Sequence, residues 1–207
     1  MIKSISFDEQ EIIQSILKLH CKTEIELDPT YSKGNFYKGW ENKPKYKFDL
    51  YPQSEDVIKA NAENLPLEDS SINTIMFDPP FLATKGKSLE IINDSNKINK
   101  RFGVYPTEKE LHQFYSNALK EFYRILKDKG ILIFKCQDKV SGGTQYFSHV
   151  FIINEALKIG FYCKDMFILL AKNRIVADWQ LKNQKNARKF HSYFLVLEKS
   201  NKIVKYI

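Results

Sequence analysis

The sequence is poor in the residues that build disulfide frameworks, metal sites and membrane spans. Its 207 residues include three cysteines, which are widely separated and form no Cys-x-x-Cys pair. Such a sparse, odd count in a chain without a signal peptide predicts reduced thiols in a cytoplasmic protein. The four histidines show no metal-ligand spacing, so we expect no metal. No apolar run approaches the ~20 residues of a membrane-spanning helix, and we expect no membrane partner.

Positive charge and aromatic side chains are, in contrast, plentiful. Lys and Arg number 32 against 25 Asp and Glu, which gives a formal net charge of +7. This balance favours a nucleic-acid partner because cations that neutralise phosphates drive non-specific binding, although a Lys-rich composition alone gives the same charge. The 15 Phe and 11 Tyr exceed the needs of one core, so some could stack on bases. The length predicts a single domain over residues 1–207.

Strand and helix patterns alternate along the chain and predict an α/β fold with a mostly parallel sheet. Ligands bind at the carboxyl ends of the strands in such sheets. We therefore expect the strands that end at Asp28, Asp49 and Phe77 to lie side by side around one cleft. Strands are expected at 24–28, 46–50, 72–77, 131–134, 161–172 and 191–198. Helices are expected at 8–20 with Asp8 as N-cap, from a capping box at Thr107 and Glu110 to a stop at 129–130, and at 148–157 with a stop at Gly160. A helical turn is expected at 54–60.

The tetrapeptide Asp78-Pro79-Pro80-Phe81 directly follows the strand at 72–77. The exocyclic amine of a base is a poor nucleophile because its lone pair is delocalised into the ring. The carboxylate of Asp78 and the carbonyl of Pro79 could accept the two N–H groups and direct the lone pair outward. The Pro-Pro unit keeps this carbonyl free of the hydrogen bonds between β-strands. Phe81 offers a flat face for an extruded base. The alternative interpretation is an ordinary turn followed by an aromatic residue.

These four residues resemble the (Asp/Asn/Ser)-Pro-Pro-(Tyr/Phe/Trp) motif of the amino-methyltransferases that modify adenine N6, cytosine N4 or guanine N2 in nucleic acids. The resemblance implies a Rossmann-like methyltransferase fold whose final strand, here 191–198, is antiparallel. It also implies S-adenosyl-L-methionine as cofactor and a catalytic role for the whole motif. Residues 135–138, which follow the next strand, would line the far side of the base pocket.

The same resemblance implies a cofactor site before the catalytic motif. Asp28 and Gly34 stand where the family has an acidic residue and glycines near the methionine part of the cofactor. Asp49 matches an acidic residue that binds the ribose hydroxyls, and Asn61 a polar residue near the adenine. The stretch 28–39 departs from the family pattern Asp/Glu-x-Phe-x-Gly-x-Gly and shows no helix. Either a short irregular crossover replaces that helix or the register is shifted.

Two basic segments are candidates for contacts with nucleic acid. The long loop 82–106 follows the catalytic motif and could recognise the target or act as a lid, and 182–189 is a second basic run. Both could equally be solvated surface. No large recognition domain is evident, which suggests relaxed specificity, a single-stranded substrate or a second subunit.

The sequence thus predicts methyl transfer to adenine N6, with DNA a more probable substrate than RNA. The alternatives are an RNA methyltransferase acting on adenine N6 or another base amine, and a catalytically inactive subunit that kept the fold. Cytosine N4 is a further target, although that chemistry is more often paired with Ser at the first motif position.

Overall fold

The computed structural model describes residues 1–81, 83, 105–173, 184–200 and 202. Within these residues the strands of the main sheet alternate with helices. The helices are α1 (Glu9–His20), α2 (Glu108–Ile125) and α3 (Ser148–Ile159), with a 3₁₀ helix at Asn35–Tyr37. None of the helices in the described part of the chain is long and apolar enough to cross a membrane.

An eight-stranded sheet forms the centre of the molecule. Its strands are β1 (Ile5–Ser6), β2 (Leu27–Asp28), β3 (Tyr46–Asp49), β4 (Ile58–Lys59), β5 (Ile72–Phe77), β6 (Leu126–Cys136), β9 (Phe161–Leu170) and β10 (His191–Lys199). They lie in the order β1-β9-β10-β6-β5-β2-β3-β4, and a hairpin of β7 (Lys139–Ser141) and β8 (Thr144–Tyr146) lies apart. Only β10 runs antiparallel to its neighbours within this sheet. The Rossmann-like α/β fold with a final antiparallel strand is therefore confirmed.

The three strands expected to surround one cleft are neighbours. Leu27 of β2 pairs with Tyr46 of β3 on one side and with Ile75 of β5 on the other, in both cases in parallel. Asp28, Asp49 and Phe77 therefore end their strands at the same edge of the sheet. We call this the carboxyl edge; it also contains the ends of β4, β6 and β9 and the beginning of β10.

Helices pack on both faces of the sheet, because alternate strand residues point to opposite sides. On one face, Phe77 contacts Phe122 of α2 with ring centroids 4.7 Å apart and Phe134 of β6 at 4.9 Å. On the other face, the buried isoleucines of α1 pack with Ile133 and Phe167. Met76 and Phe77, which are consecutive, belong to the two different cores.

The helix boundaries follow local signals in the sequence. Asp8 caps α1 by accepting hydrogen bonds from the backbone N–H groups of Gln10 and Glu11. Thr107 and Glu110 form the capping box that begins α2. Gly160 ends α3 with a φ of 118°, a conformation that glycine adopts without strain. These three boundaries were all predicted.

Three sequence-based expectations about secondary structure differ in extent from the structure, and tertiary pairing explains two of the differences. The turn expected at 54–60 covers only its first part, where the backbone N–H of Val57 donates to the carbonyl of Ser54 at 3.2 Å, since Ile58 pairs with Phe48 of β3. Helix α2 stops at Ile125 rather than near Lys129-Gly130, because Leu126 already pairs with Ile72 of β5. The strand expected at 24–28 is shorter, with only Leu27–Asp28 in β2.

Candidate active site

The structure brings the sequence-predicted site residues to the carboxyl edge. Asp78 follows β5, Asp28 ends β2 and Asp49 ends β3, so the three carboxylates follow adjacent strands. Asn61 follows β4, the next strand along. The edge therefore presents the proposed cofactor residues beside the proposed catalytic motif.

Asp28 is linked to the catalytic motif through Thr30. Its Oδ1 accepts hydrogen bonds from the backbone N–H of Thr30 at 2.8 Å and from the Thr30 hydroxyl at 3.1 Å. The same hydroxyl oxygen accepts the backbone N–H of Asp78 at 2.9 Å. Oδ2 of Asp28 accepts the hydroxyl of Tyr37 at 2.8 Å. Asp28 thus fixes where the catalytic motif begins relative to β2.

The carboxyl of Asp28 is fully buried among these partners. Burial raises its pKa to about 7, although the hydrogen bonds from Thr30 and Tyr37 oppose the shift. A direct contact with a ligand would require Tyr37 or Thr30 to move. The geometry therefore supports a positioning role for Asp28 at this site.

The stretch after β2 is an irregular crossover with a 3₁₀ helix, the first of the two alternatives left open by the sequence. Gly34 has a φ of 66°, and a Cβ at this position would lie 2.5 Å from the Tyr31 ring. The Tyr31 ring stacks on that of Tyr37 with centroids 5.4 Å apart. Only glycine fits here, because both the backbone conformation and the close ring exclude a side chain.

The two remaining cofactor candidates differ in their surroundings. The carboxylate of Asp49 accepts the backbone N–H of Ser32 at 2.8 Å and that of Tyr51 at 2.7 Å, so it connects the crossover to the end of β3. Asn61 is exposed, and its Oδ1 accepts the backbone N–H of Glu63 at 3.0 Å. A carboxylate, a residue without a side chain and an exposed amide at one edge fit a nucleoside cofactor with ribose hydroxyls and a polar base.

Asp78 lies beside a buried cation. Lys135 Nζ is 3.5 Å from Asp78 Oδ1 and 2.6 Å from Glu9 Oε1. The Oδ1 atom is buried and has no normal hydrogen bond from the described residues, whereas the side chain as a whole keeps 24% of its surface exposed. Burial raises the pKa of Asp78, and the charge of Lys135 opposes that shift.

Lys135 itself stays charged. Burial lowers its pKa, but the charges of Asp78 and Glu9 outweigh that effect, so the pKa of the ammonium is raised. The ammonium also lies 4.9 Å from the ring centroid of Phe36 and 6.0 Å from that of Phe81. The cation is therefore held among the first helix, the crossover and the catalytic motif.

The remainder of the motif is held from the opposite side. The carbonyl of Pro80 accepts the hydroxyl of Tyr115 at 2.7 Å. The carbonyl of Phe81 accepts the ammonium of Lys139, which in turn lies 2.9 Å from Glu108 Oε2. Burial lowers the pKa of Lys139 even though Glu108 raises it. Two lysines, each paired with a glutamate, thus flank the catalytic motif.

Sequence reasoning missed four of these residues. Glu9 and Glu108 lie in the first turns of α1 and α2, where acidic residues are common for reasons of capping alone. Tyr115 is part of the apolar face of α2, and Lys139 follows β6. Nothing local marks them, since only the packing of the helices brings them to the motif.

The residues expected beyond Lys135 face a different part of the edge. Cys136 is buried, and burial raises the pKa of its thiol well above the usual value. The amide of Gln137 donates to the carbonyl of His191 at 2.9 Å. Asp138 Oδ1 lies 2.8 Å from His149 Nδ1. In this structure Cys136 and Asp138 are thus engaged in protein contacts.

Most of the 82–106 loop lies outside the described residues, whereas most of the 182–189 run lies within them. Of the 82–106 loop, the structure describes 83, 105 and 106, and a parallel bridge joins Ala83 to Tyr105 at the base of the loop. Of the 182–189 run, it describes 184–189, where Lys185 is exposed. Among the described residues there is no group of three or more His, Cys, Asp or Glu that could hold a metal ion.

Comparisons of structure relate this fold to methyltransferases. A protein from Galdieria sulphuraria described as a methyltransferase has a TM-score of 0.57 at 13% identity, covering 98% of this chain and 95% of its own. The cytosine-N4-specific PvuII DNA methyltransferase has a TM-score of 0.50 at 13% identity, covering 79% and 54%. A protein from Thermus thermophilus described as a DNA modification methylase, and solved with S-adenosyl-L-methionine, has a TM-score of 0.48 at 16% identity, covering 72% and 56%.

The chain spans 54% to 57% of the length of the DNA-modifying structures among these neighbours. No protein with a curated description matches it in sequence. The N6/N4 methyltransferase family model, described as DNA methylase, matches residues 72–206, well over half of the chain and including the whole Asp78–Phe81 motif. The chain therefore belongs to the N6/N4 DNA methylase family.

Proposed function

We propose that this chain transfers a methyl group to an exocyclic amine of a nucleic-acid base, with adenine N6 in DNA as its main target. The observation that carries the proposal is the state of Asp78. Its carboxylate directly follows a strand at the carboxyl edge, keeps 24% of the side chain exposed, and lies 3.5 Å from the ammonium of Lys135 through the buried Oδ1. A partly exposed carboxylate that receives no short hydrogen bond from the described residues can accept a donor from a ligand.

The motif can hold the target amine by two hydrogen bonds. One N–H of the amine would donate to the carboxylate of Asp78 and the other to the carbonyl of Pro79, to which no described residue donates. This geometry directs the nitrogen lone pair away from the ring of the base. Phe81, half-buried beside the motif, would stack on the extruded base.

S-adenosyl-L-methionine, the cofactor of the family, supplies an electrophilic methyl group when it is bound. The chain's part in the reaction is to orient the amine and to exclude water from it, so positioning accounts for much of the acceleration. After transfer the amine carries an additional proton. The raised pKa of Asp78 suits this carboxylate to accept that proton, because a basic carboxylate binds it more readily.

We assign the cofactor to the edge formed by β2, β3 and β4. Asp49 would accept the ribose hydroxyls, Asn61 would contact the adenine, and Gly34 would let the backbone approach the methionine part. Asp28 would act indirectly, since its carboxylate already holds Thr30 and Tyr37. These assignments rest on the position of the four residues at one edge.

We also propose a single domain over residues 1–207, with the 82–106 loop as target-recognition or lid segment and a second subunit for recognition. The choice of adenine N6 over cytosine N4 rests on Asp at the first motif position. DNA as substrate is supported by membership of the DNA methylase family and by the net charge of +7.

The test is transfer of tritiated methyl groups from S-adenosyl-L-methionine to DNA and to RNA, followed by nucleoside analysis of the product. N6-methyladenosine from RNA would favour the RNA enzyme, and N4-methylcytosine would replace the adenine assignment. Asp78→Ala protein serves as the control for contaminating activity. Absence of transfer to either polymer would reject the proposed function.

An inactive methyltransferase-fold subunit is the second candidate, favoured by the unusual crossover after β2. The stacked Tyr31 and Tyr37 fill the region where relatives have a glycine-rich turn. Calorimetry with S-adenosyl-L-methionine and its demethylated product separates the two candidates. Micromolar binding supports the enzyme, whereas no binding supports the inactive subunit.

A further inference from the structure

Aromatic rings form a continuous series along the carboxyl edge beyond β6. The Phe147 ring lies 6.2 Å from that of His149, which stacks on Tyr193 at 4.3 Å. Tyr193 lies 5.1 Å from His191. Two further phenylalanines lie at the same edge, Phe190 directly before β10 and Phe7 directly after β1. We call the six residues the aromatic strip: Phe7, Phe147, His149, Phe190, His191 and Tyr193.

Backbone and cation contacts join the second half of the strip across β10, β9 and β1. The carbonyl of Phe190 accepts the backbone N–H of Ala171 at 2.8 Å. The next residue, Lys172, places its ammonium 5.8 Å from the centroid of the Phe7 ring. The strip therefore runs from the beginning of α3 to the end of β1.

Three rings of the strip are largely in solvent. Phe7 is 57% exposed, Phe147 56% and Phe190 40%. Single exposed apolar residues are ordinary, but several at one edge of a molecule mark a surface that binds something. The exposed Lys172, whose ammonium lies near the Phe7 ring, favours an anionic partner.

The aromatic strip and the candidate active site lie at the same edge of the sheet, where β6 separates β10 from β5. Lys135, beside Asp78, is three residues before Asp138 on the same chain segment. The carboxylate of Asp138 contacts two residues of the strip. Its Oδ1 lies 2.8 Å from His149 Nδ1, and its Oδ2 accepts the hydroxyl of Tyr193 at 3.4 Å. A nucleic-acid strand with its target base at Asp78 could place the neighbouring nucleotides along these rings.

We propose that the aromatic strip binds unstacked bases of a single-stranded segment of the nucleic acid that carries the target base. The inference rests on the proposed function and deepens it, since it names the form of the substrate. Exposed rings bind bases by stacking, and cations nearby track the phosphates. Bases within a duplex are stacked on each other, so they cannot use this surface. The strip therefore selects single-stranded or locally opened nucleic acid.

The test is a fluorescence-anisotropy titration of a labelled single-stranded oligonucleotide and its duplex, without any methyl donor, at several salt concentrations. We expect the wild type to bind the single strand more tightly. The double variant Phe7→Ala/Phe190→Ala should weaken that binding about tenfold or more at every salt concentration, because stacking does not depend on counterions. Lys172→Ala should instead reduce the slope of affinity against salt.

Two further variants control for unrelated effects. Phe190→Trp should retain binding, since a larger ring still stacks. Leu19→Ala removes an equally exposed apolar side chain at the end of α1 far from Glu9 and should leave binding unchanged. Circular dichroism confirms that each variant folds.

Equal affinity of the double variant and the wild type would overturn the inference, as would equal binding of duplex and single strand. A concentration-dependent dimer that the double variant abolishes would show that the strip binds a second copy of the chain instead. Because no methyl donor is present, failure of methyl transfer leaves this result untouched. Conversely, transfer by a protein whose strip variants bind normally rejects the strip alone.

Discussion

Lys135 Nζ lies 3.5 Å from Asp78 Oδ1 and 2.6 Å from Glu9 Oε1, so one buried ammonium joins the catalytic motif to the first turn of α1. The cation opposes the effect of burial on the carboxyl of Asp78 and favours its ionised form. The ammonium of Lys135 lies closer to Glu9 than to Asp78. The carboxylate of Asp78 thus lies beside a cation that has its shorter contact with another carboxylate.

Replacement of Lys135 should shift the pH dependence of methyl transfer. Without the ammonium the pKa of Asp78 rises further, so the ionised form that accepts the target amine is lost at a higher pH. Lys135→Met should therefore move the acid limb of kcat/KM to higher pH, with a greater loss of activity at acid pH than at alkaline pH. Lys158→Met is the control and should leave the acid limb unchanged, because its ammonium pairs with Glu155 on α3. Coincident acid limbs for Lys135→Met and wild type would refute this role.

Asp78→Ala should abolish methyl transfer while leaving cofactor binding and the thermal midpoint nearly intact. The carboxylate meets the target amine, whereas the apolar strand β5 holds the fold. Asp78→Asn should retain more activity because its amide oxygen still accepts a hydrogen bond. Turnover per folded molecule is the decisive measurement. Activity of the Ala variant within a few-fold of wild type would remove Asp78 from the catalytic role.

Phe81→Ala should mainly raise the KM for nucleic acid, since the ring stacks on the extruded base at ~1–3 kcal/mol. Phe81→Trp should be tolerated. Steady-state kinetics with a fixed, saturating concentration of methyl donor separates KM from kcat. A loss confined to kcat would argue against stacking as the function of this ring.

Gly34→Ala should lower stability and weaken cofactor binding. The new methyl group would lie 2.5 Å from the Tyr31 ring, in addition to the left-handed strain at a φ of 66°. Gly39→Ala is a matched control, because its φ is 82° and nothing lies within 4 Å of the added Cβ. Thermal melts and calorimetry compare the pair. Equal destabilisation of the two variants would show that the Tyr31 contact contributes nothing.

Asp49→Ala should weaken binding of S-adenosyl-L-methionine, because the ribose hydroxyls would lose a charged acceptor worth ~1.5–3 kcal/mol. Titration calorimetry measures the change. Asp56→Ala is the control. It removes a carboxylate that precedes β4 and contacts Lys47 of β3, and it should not affect cofactor binding. An unchanged affinity for the Asp49 variant would remove that residue from the cofactor site.

Asp28→Asn should change how stability depends on pH. The folded-state pKa of Asp28 is raised to about 7, so its stabilising contribution is present below the unfolded pKa of ~4 and is lost as pH rises through 7. The Asn variant lacks this titration. Its thermal midpoint relative to wild type should therefore improve from acid to neutral pH. A constant difference across that range would contradict the raised pKa.

Many boundaries of the helices and strands can be predicted from short segments of the sequence. Asp8, Thr107 and Gly160 mark helix boundaries because capping involves only residues a few positions apart. The apolar strand Ile72–Phe77 and the Asp-Pro-Pro-Phe segment after it are likewise predictable from the residues that form them. Strand β4 is not, since Ile58–Lys59 is extended only through its pairing with β3.

The sequence by itself determined the α/β class, the strand that precedes the Asp78–Phe81 motif and the acidic residues that end its neighbours. These follow from periodicity, turn chemistry and spacing, which are properties of short segments. Only the tertiary structure decided that Lys135 and Glu9 meet at Asp78, that Lys139 and Glu108 hold Phe81, and that Asp28 is buried. Residues tens of positions apart, and in the case of Glu9 and Lys135 more than a hundred, become neighbours only when helices pack on the sheet. No local pattern encodes that distance.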